Sequence, residues 1–295
     1  MPTSHDNRAV AALLGAAFLF GATFVVVKSA VETMEPIAFV AWRFLIGGLV
    51  LLALAIPKGR KIWGHGLLAG LALFAGYALQ TAGLQYTGAS NSALITGLYI
   101  VLTPFLAAAL AKRLPTPWVM VAALGAFAGV ALLTGIDDLN LNTGDLLTVG
   151  CALAFAVHIV VLSRYARLHP VIPFTTVQIL VTTALAFPVS ALLEGPISLP
   201  DRSIWPALAI TALGVTVGAF LLQIWAQTIV GASTAAVVLA AEPAFGVATA
   251  WVVLGERLTA IGWLGAGLIV VAIYVVVTQQ RDDSSRAAEA VTPAH

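Results

Sequence analysis

Ten apolar runs of about 20 residues, each set off by a short break, fill most of this chain. A helix crosses a hydrocarbon core with roughly 20 residues. No water is available there, so every backbone N–H and C=O must be paired within the segment, and such a run is obliged to be helical. The spans fall at roughly 9–30, 36–56, 66–86, 89–110, 117–135, 144–164, 173–194, 203–229, 232–254 and 260–279. Composition agrees, with 60% of residues hydrophobic and 9% charged, where a soluble domain carries about 25% charged residues. The lipid bilayer is therefore the main partner. The net charge of +1 gives no reason to expect nucleic acid. Cys151 is the lone cysteine, which excludes an intrachain disulfide. The first run is read as a retained span and not as a cleaved leader.

The breaks carry turn chemistry, among them PKGRK (57–61), RLPTP (113–117) and HPVIP (169–173). Breaks as short as TGAS (87–90) require antiparallel neighbours. With the N-terminus inside, inside segments hold Arg8, Lys58, Arg60, Lys61, Lys112, Arg113, Arg164, Arg167, Arg281 and Arg286. Outside segments hold only Lys28, Arg202 and Arg257, so both termini are assigned to the cytoplasm. Trp63, Trp118 and Trp205 stand near span ends as interfacial anchors. GxxxG spacings at Gly66/Gly70, Gly125/Gly129 and Gly214/Gly218 suit close helix packing within one chain, so a monomer is expected.

The chain also repeats itself. Shifted by 135 residues, LLGAAFLFGATFVVVK (13–28) falls on TVGCALAFAVHIVVLS (148–163). Thr23 then meets His158, and Arg43 meets Gln178. After an eight-residue insertion the shift is 143, which aligns Gln80 with Gln223 and Tyr99 with Glu242. Each half holds five spans. Five is odd, so the second half enters the membrane from the opposite side. The expected fold is an all-α integral membrane protein of ten transmembrane helices in two inverted five-helix repeats. The chain divides into a cytoplasmic N-terminus (1–8), a first repeat (9–135), a periplasmic linker (136–143), a second repeat (144–279) and a disordered cytoplasmic tail (280–295). Inverted repeats are a secondary-transporter architecture, with the substrate site near the midplane between the halves.

The stretches FLFGATFVVVK, AWRF, ASNSALITGLYIVLTPFLAAALAKRLP and EPAFGVATAWVVLGERLT resemble the EamA family of the drug/metabolite transporter superfamily. The likeness covers about residues 9–278. Phe20 replaces a tryptophan frequent in the family's first span, and LAKRLP stands where a GER-type motif, kept as Gly255-Glu256-Arg257, is usual. The resemblance is strongest to bacterial exporters of amino acids, aromatic ones included. It implies a multi-pass protein of the bacterial inner membrane that exports small metabolites.

Glu242 and Pro243 interrupt the ninth span, which from Gly231 to Leu254 has no other ionisable residue. A charge at that depth costs about 2.5–3.5 kcal/mol on insertion scales and normally faces a cavity or a partner. The carboxylate is read as a proton carrier, an acceptor for a substrate ammonium, or a structural group supporting the kink. Ser92, Thr96, Tyr99 and Thr103 form one polar face of the fourth span, expected to line the cavity with Tyr99 foremost, the alternative being that the Ser and Thr hydroxyls bond to carbonyls one turn back. Gln80 and Gln223, with Tyr77 one turn before Gln80, either line the cavity or join helices. His158 is a pathway or packing residue, and Trp225 a candidate aromatic wall. Arg43, Pro243 and Pro104 are placed as gating or structural residues. Arg43 is expected to snorkel toward Glu32 or Glu35, with two-pronged binding of a substrate carboxylate as the alternative.

No nucleophile elbow, zinc-helix motif or intramembrane aspartate pair is present, so no enzyme is expected. No cofactor or metal is expected either, and proton coupling through Glu242 stays open. The expectation is an exporter of amino acids and related metabolites. The alternative is an exporter of other drugs or metabolites, or a channel-like facilitator, of the same fold. A topology reporter fused after Gln279 is expected to read cytoplasmic and one inserted between residues 136 and 143 periplasmic. The reverse pattern would invert the assignment.

Overall fold

The computed structural model describes residues 4–87, 89–112, 114–134, 142–254 and 259–291. The expected linker acids Asp137 and Asp138, and the Gly255-Glu256-Arg257 motif, lie outside the described residues. Among the described residues the regular structure is all helical. Nine helices among the described residues are long and apolar enough to cross a membrane. Counting a broken crossing as one, we label α1 (Ser4–Ala22 and Phe24–Val31), α2 (Pro36–Leu54), α3 (Arg60–Leu84), α4 (Ala89–Thr96 and Tyr99–Leu110) and α5 (Pro117–Thr134). The second half comprises α6 (Thr143–Tyr165), α7 (Val171–Leu193) and α8 (Trp205–Ile210, Thr211–Ala219 and Phe220–Gln227). It ends with α9 (Ala232–Leu239 and Glu242–Leu254) and α10 (Ala260–Val291).

The helix pairing survives exchange of the halves. Helix α3 packs on α6 and α7, as α8 packs on α1 and α2. Helix α4 packs on α6, as α9 packs on α1. The pairs α2–α7, α4–α9 and α5–α10 are their own counterparts. This is the contact pattern of a two-fold axis relating five-helix units. Leucines, valines and aromatics cover the outside, among them Leu67, Leu71, Phe105, Leu124 and Val270. Trp63, Trp118 and Trp205 are exposed near helix ends.

Small residues set the closest crossings. Gly129 on α5 and Gly265 on α10 face each other so tightly that a Cβ on either would strike the other's carbonyl. Gly66 and Gly70 admit Val177 and Val181 of α7. Of the three glycine pairs singled out by spacing, Gly214/Gly218 lacks this role, since Gly214 faces open space.

The helix ends are capped across long sequence distances. Pro36 opens α2, and the next two backbone N–H groups, of Ile37 and Ala38, donate to the Glu194 carboxylate at 2.7 and 2.9 Å. Ser190 also donates to Glu194, so the end of α7 caps the start of α2 and ties the halves together. Asn142 and Asp145 form a capping box on α6, and Thr87 donates to Asp145.

The backbone of α10 is helical to Val291, past residue 280 where the tail is expected to begin. Alanine, glutamate, glutamine and arginine favour helix, and extending a nucleated helix avoids a second nucleation.

Replacing Gly129 by Leu is expected to cost about 1–3 kcal/mol through overpacking. In detergent this appears as a thermal midpoint lowered by several degrees. Gly214→Leu, made in open space, is expected to leave the midpoint nearly unchanged. Equal effects would show that the α5–α10 crossing does not set stability.

Candidate functional site

Helices α4 and α9 both break at mid-depth. The second segment of α4 begins at Tyr99 and that of α9 at Glu242, the two residues that the 143-residue shift pairs. The interruption in α9 falls at Ala240 and Ala241, just before Glu242. Pro243, near the start of the second segment, needs no N–H partner there. Glu242 stands in the first turn, where the helix dipole favours a negative charge. In α4 the break precedes Pro104 by several residues, and Pro104 is accommodated inside the second segment. Helix α1 crosses at this point because Gly21 has no side chain, and a Cβ there would strike the Glu242 carbonyl.

Between the halves lies a cavity of about 580 Å³, within the size range of small-molecule sites. Phe20, Phe39, Phe155 and Phe220 supply much of its aromatic lining. Of the residues predicted from sequence, Tyr77, Gln80, Thr96, Tyr99, His158, Gln223, Glu242 and Arg43 line it. Its rim reaches Glu32, Glu35, Gln85 and Thr87, at the α1–α2 and α3–α4 turns. This end is called outer here.

Three predicted residues do not belong to the lining: Ser92, which is buried, Thr103 and Trp225. Thr103 is fully buried and donates to the Tyr99 carbonyl at 2.6 Å, one turn back. The break at Gly97 and Leu98 interrupts the regular face that would have carried the stripe onward. Trp225 is 36% exposed and lies outside the lining. A stretch of π-helix at Thr211–Ala219 precedes it, so straight helical counting through α8 mislays the side chains that follow.

Arg43 differs from its snorkelling expectation. It is 3% exposed, lines the cavity, and makes no ion pair with Glu32 or Glu35 among the described residues. Its Nε donates to Thr216 of the π stretch at 3.2 Å. Its guanidinium carbon lies 5.0 Å from the Phe44 ring centroid and 4.9 Å from that of Tyr77, in the range of cation–π contacts. Gly47 lets α2 approach α8 here, since a Cβ would meet Thr216. No hydrogen bond reaches the Glu242 carboxylate from any described residue.

Beneath the cavity the structure is closed by polar contacts. His158 shares a 2.7 Å hydrogen bond with Gln178 of α7. Gln223 donates to Gln227 at 3.2 Å. Gln227 in turn donates to the Ile159 carbonyl at 2.8 Å and to Ser163 at 2.7 Å. Farther toward the inner end, His65 of α3 and His169 of the α6–α7 turn share a 2.8 Å hydrogen bond. His65 stacks on Tyr165 with centroids 3.9 Å apart. Sequence reasoning missed the His65–His169 pair and the Glu194 cap, because each joins helices more than 100 residues apart. Gln178 was legible only as the repeat partner of Arg43.

Residues 7–135 and 142–278 each match the EamA-like transporter family, one match per half. The chain belongs to that family. It is 34% identical over 262 residues to an uncharacterised transporter of Archaeoglobus fulgidus, covering 88% of this chain and 82% of the relative. It is 30% identical over 239 residues to the uncharacterised transporter YyaM of Bacillus subtilis, covering 75% and 78%. A solved crystal structure superposes with a TM-score of 0.78 at 23% identity, covering 92% of this chain and 98% of the other. This likeness speaks for the fold. The molecule is a multi-pass membrane protein of a transporter family, and its two matched halves bound the cavity just described.

Burial, and secondly the charge of His65, hold His169 below the ordinary histidine value. A base with a lowered pKa binds its proton more weakly in the fastened pair than in the parted one. The contact is therefore complete above about pH 6.5 and weakens as pH falls below it. Spin labels at positions 64 and 168 are expected to move apart, on average, between pH 7.5 and 5. His169→Gln should flatten this response. A pH-independent distance in the parent protein would refute the titrating contact.

Proposed function

We propose that this protein exports amino acids and related small metabolites across the bacterial inner membrane by alternating access, acting as a monomer. The observation that carries the reading is the cavity between two repeat-related halves, whose rim is at the outer end and whose inner end is sealed. The loop charges favour placing the sealed end in the cytoplasm, with both termini. On that placement the structure corresponds to an outward-open state. The seal favours a carrier over a channel-like facilitator, because a conducting pore must be open at both ends at once. Export as the direction rests on the family resemblance.

The lining supports small, mixed-character solutes. Its aromatic walls suit apolar side chains, and its amides and hydroxyls suit polar head groups. Glu242 is the one carboxylate within the described residues of the two helices broken at mid-depth, α4 and α9. It serves as the acceptor for a substrate ammonium, and its protonation offers a route to proton coupling. No metal or cofactor is invoked in this mechanism.

Counterflow in proteoliposomes across a panel of amino acids, with and without a pH gradient, tests the reading. Saturable counterflow of at least one amino acid is expected. Absence of any amino-acid flux or competition would end the substrate assignment. Glu242→Gln is expected to reduce counterflow on the order of tenfold or more, as for removal of one partner of a buried charge pair. An unchanged rate and unchanged pH response in that variant would remove Glu242 from both the coupling and the binding roles.

A further inference from the structure

The cavity contains a cation whose hydrogen-bonding capacity is not used up. Among the described residues, two buried side-chain donors lack partners, Arg43 Nη2 and Gln178 Nε2. They are repeat mates, but only Arg43 lines the cavity. Its remaining surroundings hold it firmly. Thr216 fixes Nε, and the rings of Phe44 and Tyr77 flank the guanidinium. The fork is thus oriented by neutral groups while one arm faces no acceptor. Guanidinium forks match carboxylate geometry with two parallel hydrogen bonds, and an unfilled donor in so buried a place is costly.

The lining's charges narrow the ligand further. Among the described residues Arg43 is the lining's single basic residue of permanent charge, set against Glu242 at mid-depth and Glu32 and Glu35 at the rim. Three carboxylates against one guanidinium disfavour phosphates and dicarboxylates. An anion reaches Arg43 most readily when it brings its own positive charge, which Glu242 can meet.

The geometry points to Arg43 as the residue that reads the substrate's carboxylate, making a free carboxylate obligatory and restricting the site to zwitterions over amines, amides and esters. This rests on the cavity being the transport site. A purely structural Arg43, held by aromatic rings to join α2 to α8, predicts no preference between an acid and its amide.

The test measures binding and counterflow competition with the purified parent protein. The probes are L-phenylalanine, L-leucine and L-threonine, each beside its carboxamide and its decarboxylated amine. The parent is expected to prefer the acid on the order of tenfold or more. Arg43→Gln is expected to bring the three forms of each probe within about twofold of one another. Arg43→Lys, which keeps the charge but loses the fork, is expected to fall between them, and it stands in should Arg43→Gln not fold. Thr216→Val removes only the orienting bond and is expected to weaken the preference without abolishing it. Amides or amines that compete as well as the acids in the parent would overturn the inference while leaving amino-acid transport intact. So would an acid preference that survives in Arg43→Gln or is undiminished in Arg43→Lys. If none of these probes binds, the carboxylate-reading role falls for this site. If the broader amino-acid panel also shows no counterflow, the transport reading falls separately.

Discussion

Polar groups held at mid-membrane depth govern this structure, because a charge there has no bulk water to turn to. Glu242 and Arg43 are tolerable only where a cavity admits solvent or substrate, and the cavity exists because helices α4 and α9 are interrupted beside it. The interruptions free backbone groups that must also be satisfied within protein or cavity. Gly21, by letting α1 press against the start of the second α9 segment, encloses one of these breaks. Pro243 sits where its missing N–H costs least.

The rest of the fold keeps those groups in place. Helices α5 and α10 pack against each other through Gly129 and Gly265, and none of their described residues lines the cavity. Helices α2 and α7 lie against each other and meet at the outer end through the Glu194 cap. The aromatic contacts Phe20–Phe220, Phe44–Tyr77 and Tyr77–Phe155, with centroids 5.2 to 5.5 Å apart, join α1, α2, α3, α6 and α8 around the cavity. Every functional candidate is thus borne by a helix whose position is fixed from another half or another layer.

Much of this was legible from residues alone. Hydrocarbon demands helix, so the spans follow from run length, and the repeat alone pairs Tyr99 with Glu242. Lining by Gln80, Thr96, Tyr99, His158 and Gln223 followed from polar residues in apolar runs. What escaped depended on departures from regular helix or on distant contacts. Thr103 was misplaced because counting at 3.6 residues per turn fails across the α4 break, and Trp225 because a mid-span position does not say which face a side chain takes. Arg43 was read toward Glu32 and Glu35 because they are near in sequence, whereas its partner Thr216 lies in the other half.

The amide seal beneath the cavity carries a consequence for energetics. An inverted repeat would make its two end states equal in free energy only if the halves were identical. Gln227 and Ser163 join at the inner end, but their repeat positions at the outer end hold Leu84 and Lys28. Those residues cannot form the same amide-to-hydroxyl latch at the outer end. In the proposed alternating-access cycle the two end states therefore form a tilted see-saw, its resting bias written into side chains where the internal symmetry fails.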